Sequence, residues 1–152
     1  MFFYNWQIRE EWFVWSEKIP HEELIKKRTG GMGSILHNLY HVIDCEQLWI
    51  NKMKGTPATR RDINDISSLE EVVAFSELTK PITQLFLESY NSEAENRILQ
   101  IKSKRGETYS FTNDKILKHI IAHEIHHIGQ LSVWSREIEM KPVSSDILMR
   151  EI

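Results

Sequence analysis

Residues 34–55 carry apolar side chains at every third or fourth position, and this spacing constrains the fold more strongly than any other feature of the sequence. It is typical of an amphipathic helix that buries one face. Ser34 is a suitable N-cap and Gly55 a suitable C-terminal stop, so both ends of this helix are predicted as well. The apolar positions are Ile35, Leu39, Val42, Ile43, Ile50 and Met53.

Three further segments have helical spacing, and together with residues 34–55 they predict an all-α, up-down four-helix bundle. The first helix covers about residues 2–18 and is rich in tryptophan and phenylalanine. The third covers about residues 69–90, with Pro81 as a candidate kink, and the last spans about seven turns over residues 113–138.

The segment between the third and last helices has a strand-like pattern. Residues 98–101 and 108–111 are short runs rich in apolar, β-branched and aromatic side chains, and they flank a polar break at 104–107. This arrangement predicts a short hairpin that covers one end of the bundle. The residues after 139 include Pro142 and paired serines, and they are expected to form a loosely docked tail.

Length and composition limit the classes of protein to which this chain can belong. Its 152 residues are 41% apolar, which is enough for a single domain spanning 1–152 with one core. The net charge of -3 provides no positive field for nucleic acid, and no run of 18 apolar residues is present to cross a membrane. The single cysteine, Cys45, predicts a reduced, buried thiol and a cytoplasmic location.

Histidines are concentrated in two of the predicted helices, which together hold six of the seven. Two histidines four residues apart project from the same face of a helix, so both rings can reach one ion while a third ligand comes from elsewhere. The pairs with this spacing are 37/41, 119/123 and 123/127.

Helical phase selects three of these histidines as metal ligands. His127 lies roughly 40° and His123 roughly 80° from the apolar centre of the last helix, whereas His119 and His126 lie beyond about 110° and face outward. His41 shares its side of the second helix with Cys45 and Leu48 and is the better inward candidate there. We therefore predict that His41, His123 and His127 bind one divalent ion. Imidazole suits zinc, nickel, iron or copper, and three protein ligands leave coordination positions open to water or substrate.

Two glutamates, Glu46 and Glu124, project into the apolar faces of their helices and are weak catalytic candidates. One role for them is that of general base for a metal-bound water. The favoured roles are to hydrogen-bond a ligating imidazole or to link helices, because a buried carboxylate needs partners.

The sequence at 123–127 also matches the His-Glu-x-x-His pattern of zinc proteases. No histidine follows His127, so the extended metzincin pattern fails. The alternative protease class needs a downstream carboxylate ligand, and only a short tail remains to supply one. A protease is therefore disfavoured.

Four stretches of the sequence resemble, in order, the markers of the DinB-like or YfiT-like family of metal-dependent proteins. They are residues 4–6, 30–34, 41–49 and 123–131, and the resemblance covers nearly the whole chain. It implies a four-helix bundle, a divalent metal, often nickel or zinc, held by the three histidines selected above, and a homodimer. Some relatives are thiol-dependent transferases or isomerases that use low-molecular-weight bacterial thiols.

Three functions are compatible with this sequence. The leading hypothesis is an enzyme that activates a small thiol at the metal for transfer to an electrophilic small molecule. A non-catalytic, metal-stabilised binding or stress-response module is the second, and it differs from an enzyme in that its ion serves folding alone. A hydrolase that activates water at the same ion is the third.

Overall fold

Four long helices form the bundle in the computed structural model, which describes residues 1–58, 60–103 and 105–150. Short helices and a two-stranded hairpin lie in the connections between them. The long helices are α1 (Phe2–Ser16), α3 (Ile35–Lys54), α4 (Leu69–Glu88) and α6 (Asn113–Glu137); the short ones are α2 (His21–Ile25) and α5 (Ser92–Glu95); the strands are β1 (Ile98–Lys102) and β2 (Thr108–Thr112); and 3₁₀ turns cover Ile63–Asp65 and Ile147–Met149.

The helix ends follow from local capping chemistry. The Ser34 hydroxyl accepts the His37 N–H at 3.1 Å, and Gly55 ends α3 in the left-handed conformation at φ 69°. Ser68 and Thr112 cap α4 and α6 in the same way. The predicted all-α bundle and its four long helices are therefore confirmed. The short helices α2 and α5 were not predicted, because one turn of helix carries no readable periodicity.

The predicted hairpin is present. Strands β1 and β2 pair antiparallel from Ile98 opposite Thr112 to Lys102 opposite Thr108. Leu99 and Phe111 pack against a cluster of buried apolar side chains from α1, α3 and α6. The hairpin thus covers one end of the bundle.

A buried arginine joins all four long helices. Arg9 of α1 donates to both oxygens of Glu124 of α6 at 2.8 Å and to Glu46 of α3 at 2.7 Å. Glu46 also accepts the hydroxyl of Thr83 of α4 at 2.7 Å and the indole N–H of Trp6 at 3.2 Å. Burial opposes the charged form of Arg9, but the two carboxylates outweigh it and raise its pKa.

The segment after α6 is tied to α1, so the prediction of a loosely docked tail is wrong. The Tyr4 hydroxyl donates to the carbonyl of Ser145 at 2.6 Å, and the Trp15 indole N–H donates to the carbonyl of Lys141 at 2.9 Å. Met140 and Val143 pack against the larger apolar cluster. These contacts are between residues far apart in sequence, which the composition of the tail does not reveal.

None of the helices in the described part of the chain is both long and apolar enough to span a membrane.

We expect Arg9→Met to lower the free energy of unfolding by about 3–5 kcal/mol, because it leaves two buried carboxylates without their cation. Urea unfolding of the metal-free protein measures this change. Adding Glu46→Gln and Glu124→Gln to Arg9→Met removes the uncompensated charge and should restore much of the loss. The exposed Arg97 is the control, since Arg97→Met should change stability by no more than about 0.5 kcal/mol. Wild-type stability in Arg9→Met would show that the cluster does not support the bundle.

Candidate metal centre

Three histidine rings converge between α3 and α6. His123 Nε2 lies 3.1 Å from His41 Nε2 and 3.2 Å from His127 Nε2. Each residue offers one ligand atom, and these atoms all lie within 4.8 Å of one another. The structure therefore brings together the three histidines that helical phase had selected.

The spacing of these nitrogens suits one divalent ion. Three nitrogens bound tetrahedrally at about 2.0–2.1 Å from zinc lie about 3.3 Å from one another, and the observed separations of 3.1 and 3.2 Å are close to that value. Imidazole is a good ligand for zinc, nickel and other late first-row metals. The donor set and two of the three nitrogen separations fit such an ion, and three protein ligands leave at least one position for another molecule.

The remaining histidines of these helices lie outside the converging set. His119 and His126 are exposed, as their helical phase predicts, and His37 is half-buried. The His119 and His123 rings are neighbours, with centroids 5.6 Å apart. His119 therefore flanks the cluster on its outer side.

Two amide side chains fix the orientation of His127, and sequence reasoning missed both. His127 Nδ1 lies 2.9 Å from Asn38 Oδ1 and 2.7 Å from Gln130 Oε1. Amide oxygens only accept hydrogen bonds, so Nδ1 carries the proton and the Nε2 lone pair faces the other histidines. Gln130 lies three residues after His127 on the same helix, which is the one sequence signal that could have identified it.

A glycine turn packs directly on these amides. The Met32 N–H donates to Asn38 Oδ1 at 3.2 Å, and Asn38 Nδ2 donates to the carbonyl of His127 at 3.0 Å. A Cβ on Gly31 would lie 2.6 Å from Gln130 Oε1 and 2.7 Å from Asn38 Oδ1, and Gly31 has a positive φ of 50°. The turn before α3 is therefore part of the support for His127.

The environment favours neutral imidazoles. Burial lowers the pKa of all three histidines, and the neighbouring rings of His127 and His41 lower that of His123 further, to about 4. The neutral ring is the form that binds a metal ion. The cluster is therefore ready to act as a ligand set at neutral pH.

Cys45 lies one helical turn after His41 and is buried. Burial and the negative charge of Asp44 raise the pKa of its thiol to about 11. The prediction of a buried thiol is thus confirmed, and the raised pKa disfavours its reactive thiolate form.

The two candidate catalytic glutamates bind the buried Arg9 rather than the rings. Glu46 and Glu124 are almost fully buried, and both bind Arg9. In the described part of the structure their hydrogen bonds go to Arg9, Trp6, Gln47 and Thr83 rather than to a histidine. Of the roles considered, a link between helices is the one that the contacts show. A catalytic role for either glutamate stays a prediction.

Comparison with known proteins gives consistent matches over almost the full chain. The profile of the DinB family matches residues 1–151. The uncharacterized protein YizA of Bacillus subtilis (strain 168) is 39% identical over 151 residues, covering 99% of this chain and 94% of YizA.

The fold matches as well. The crystal structure of a DinB-like protein from Bacillus cereus ATCC 10987 superposes with a TM-score of 0.71 at 12% identity, covering 94% of this chain and 91% of the other. At that identity the similarity concerns the fold alone. The match of the family profile over residues 1–151 shows that this chain belongs to the DinB family.

Proposed function

We propose that this DinB-family protein binds one divalent metal ion, nickel or zinc, through His41, His123 and His127, and that it is an enzyme acting on a small nucleophile. The observation that carries the proposal is the convergence of three Nε2 atoms from two helices, with separations of 3.1 and 3.2 Å. Membership of the DinB family supports it.

The chemistry that such an ion supplies when bound is the lowering of the pKa of a coordinated thiol or water, which provides a nucleophile at neutral pH. The chain's own residues prepare the site for it. Asn38 and Gln130 hold the His127 proton on Nδ1, so that Nε2 is free to bind. Burial keeps the three rings neutral.

Access from solvent favours catalysis over a closed structural site. His41 lines an open cavity of about 510 Å³, together with residues of the loop between α3 and α4. A volume of this size accommodates a small molecule. A structural site has all its positions filled by protein, whereas a catalytic site keeps one open. An open position therefore favours a catalytic role, and the reaction that we propose is transfer of a small thiol to an electrophile, with hydrolysis by water as an alternative.

The metal content of purified variants tests the ligand set. After reconstitution with nickel or zinc, we expect wild type to hold about one ion per chain by plasma mass spectrometry, and His41→Ala, His123→Ala and His127→Ala each to lose it. The matched controls His37→Ala, His119→Ala and His126→Ala should keep the ion. Wild type that binds no metal after reconstitution would refute the proposal.

Removal of the ion with a chelator distinguishes the enzyme hypothesis from that of a metal-stabilised module. The bundle has its own apolar core and the Arg9 cluster, so we expect a chelator to leave the far-ultraviolet circular dichroism unchanged and to abolish the reaction of 2-mercaptoethanol with an added haloalkane. Loss of helix on chelation would favour the non-catalytic module. Turnover that needs the ion but no thiol would favour the hydrolase.

The metal-free protein should lose stability as the pH falls from about 6.5 toward 4, because an unfolded histidine has a pKa of about 6.5 whereas that of folded His123 is about 4. The unfolded chain therefore binds more protons in this interval. The stability that neutral His123 contributes is fully present above the unfolded-state pKa of about 6.5. It is lost as the pH falls through the folded-state pKa of about 4. Urea unfolding across this range should show a shallower slope for His123→Gln than for wild type.

Carboxylates also titrate in this pH range. Subtracting the His123→Gln curve of unfolding free energy against pH from the wild-type curve leaves the effect of His123. His21→Gln, in the short helix α2 outside the cluster, is the matched control. Identical slopes for wild type and His123→Gln would contradict the expected effect of burial on His123.

A further inference from the structure

An arginine that the proposed chemistry does not use lines the same cavity as His41, one of the proposed metal ligands. This residue is Arg60, in the loop between α3 and α4, and the cavity has a volume of about 510 Å³. A molecule that coordinates beside His41 and extends into this cavity can reach Arg60. The other polar groups on these walls include Asp44, Arg61 and Asp62.

The guanidinium of Arg60 is held in a fixed orientation. Asp44, three residues after His41 on α3, is buried, and its two oxygens accept the Arg60 Nε–H at 3.1 and 3.2 Å. Oδ2 of Asp44 also accepts from Nη2 at 2.5 Å. The arginine side chain is nevertheless 52% exposed. A buried carboxylate on a rigid helix thus orients a cation that solvent can still reach.

One edge of this guanidinium remains available to a ligand. A guanidinium has five N–H donors, and the hydrogen bonds of Arg60 in the described part of the chain use only Nε and Nη2 on the side of Asp44. The edge formed by Nη1 and the second N–H of Nη2 can donate two parallel hydrogen bonds. That geometry matches the two oxygens of a carboxylate.

The charge balance of the cavity favours an anion with a single charge. Arg60 and Arg61 are offset by Asp44 and Asp62 on the same walls, so these four side chains have no net formal charge. Because the two aspartates offset the two arginines, these walls add no net attraction for the second charge of a dianion such as a phosphate monoester. A carboxylate would gain the two charge-assisted hydrogen bonds from Arg60 at a smaller electrostatic cost.

We infer that Arg60 is a specificity-determining residue that binds the carboxylate of a small substrate whose other end coordinates at the site of His41, His123 and His127. This inference rests on the proposed function, because it needs the ion to hold the other end. It adds the substrate class, which is a carboxylate-bearing small molecule with a metal-binding group such as a thiol.

Two thiols of equal shape test the inference directly on the cobalt(II)-loaded protein. 3-Mercaptopropionate carries the carboxylate, and 3-mercaptopropionamide is its neutral counterpart. The absorption band of the cobalt–thiolate bond reports binding without any turnover. We expect wild type to bind the carboxylate at least about tenfold more tightly than the amide, since the difference is one pair of charge-assisted hydrogen bonds.

Arg60→Gln should remove this preference while leaving cobalt affinity and amide binding unchanged. Arg60→Lys, which keeps the charge but loses the planar edge, should retain part of it. Arg61→Gln is the matched control and should keep the full preference, because Arg61 is similarly exposed, at 51%, in the same loop and donates to the carbonyl of Asp65 and to Glu71.

The outcomes separate the inference from the proposed function. If cobalt binds and wild type has no preference, the carboxylate stays in solvent. If Arg60→Gln and Arg60→Lys both keep the full preference, the carboxylate chelates the ion. In either case the inference is wrong while the metal site stands. The absence of a thiolate band from cobalt-loaded wild type would also overturn it. Failure of wild type to hold cobalt, nickel or zinc would overturn the proposed function and the inference together.

Discussion

The ion cluster around Arg9 fixes the relative positions of the helices on which the rest of the structure depends. Separating Arg9 from its two carboxylates would leave buried charges uncompensated, so the cluster opposes rearrangement of α1, α3, α4 and α6. Glu46 follows His41 on α3, and Glu124 is the neighbour of His123 on α6. The two helices that carry the three histidines are therefore the same two that the carboxylates of the Arg9 cluster hold together.

Much of the fold could be predicted because it is encoded locally. Apolar spacing and capping residues define the long helices, and helical phase was sufficient to select His41, His123 and His127 from among the histidines. The features that could not be predicted depend on contacts between residues that are far apart in the sequence. Arg9 lies in a helix whose aromatic residues conceal any clear apolar face, and no local pattern marks it as a buried cation.

The hydrogen bonds that support the candidate metal centre were missed for the same reason. Asn38 of α3 hydrogen-bonds His127 of α6, and Arg60, which lies in a loop without regular spacing, is oriented by Asp44. Periodicity identifies which face of a helix is buried, but it does not identify the partner of a polar group on that face. Reading function from this fold therefore depends on the polar contacts around the rings rather than on the rings alone.

The packing of Gly31 against two amide oxygens has a genetic consequence. Every missense change at a glycine codon adds a β-carbon, and here that atom would lie within 3 Å of both Asn38 and Gln130. A point mutation in a turn that contacts no ion would thus displace the groups that orient His127. In a collection of natural or randomised variants, substitutions at this codon would therefore act on His127 through Asn38 and Gln130.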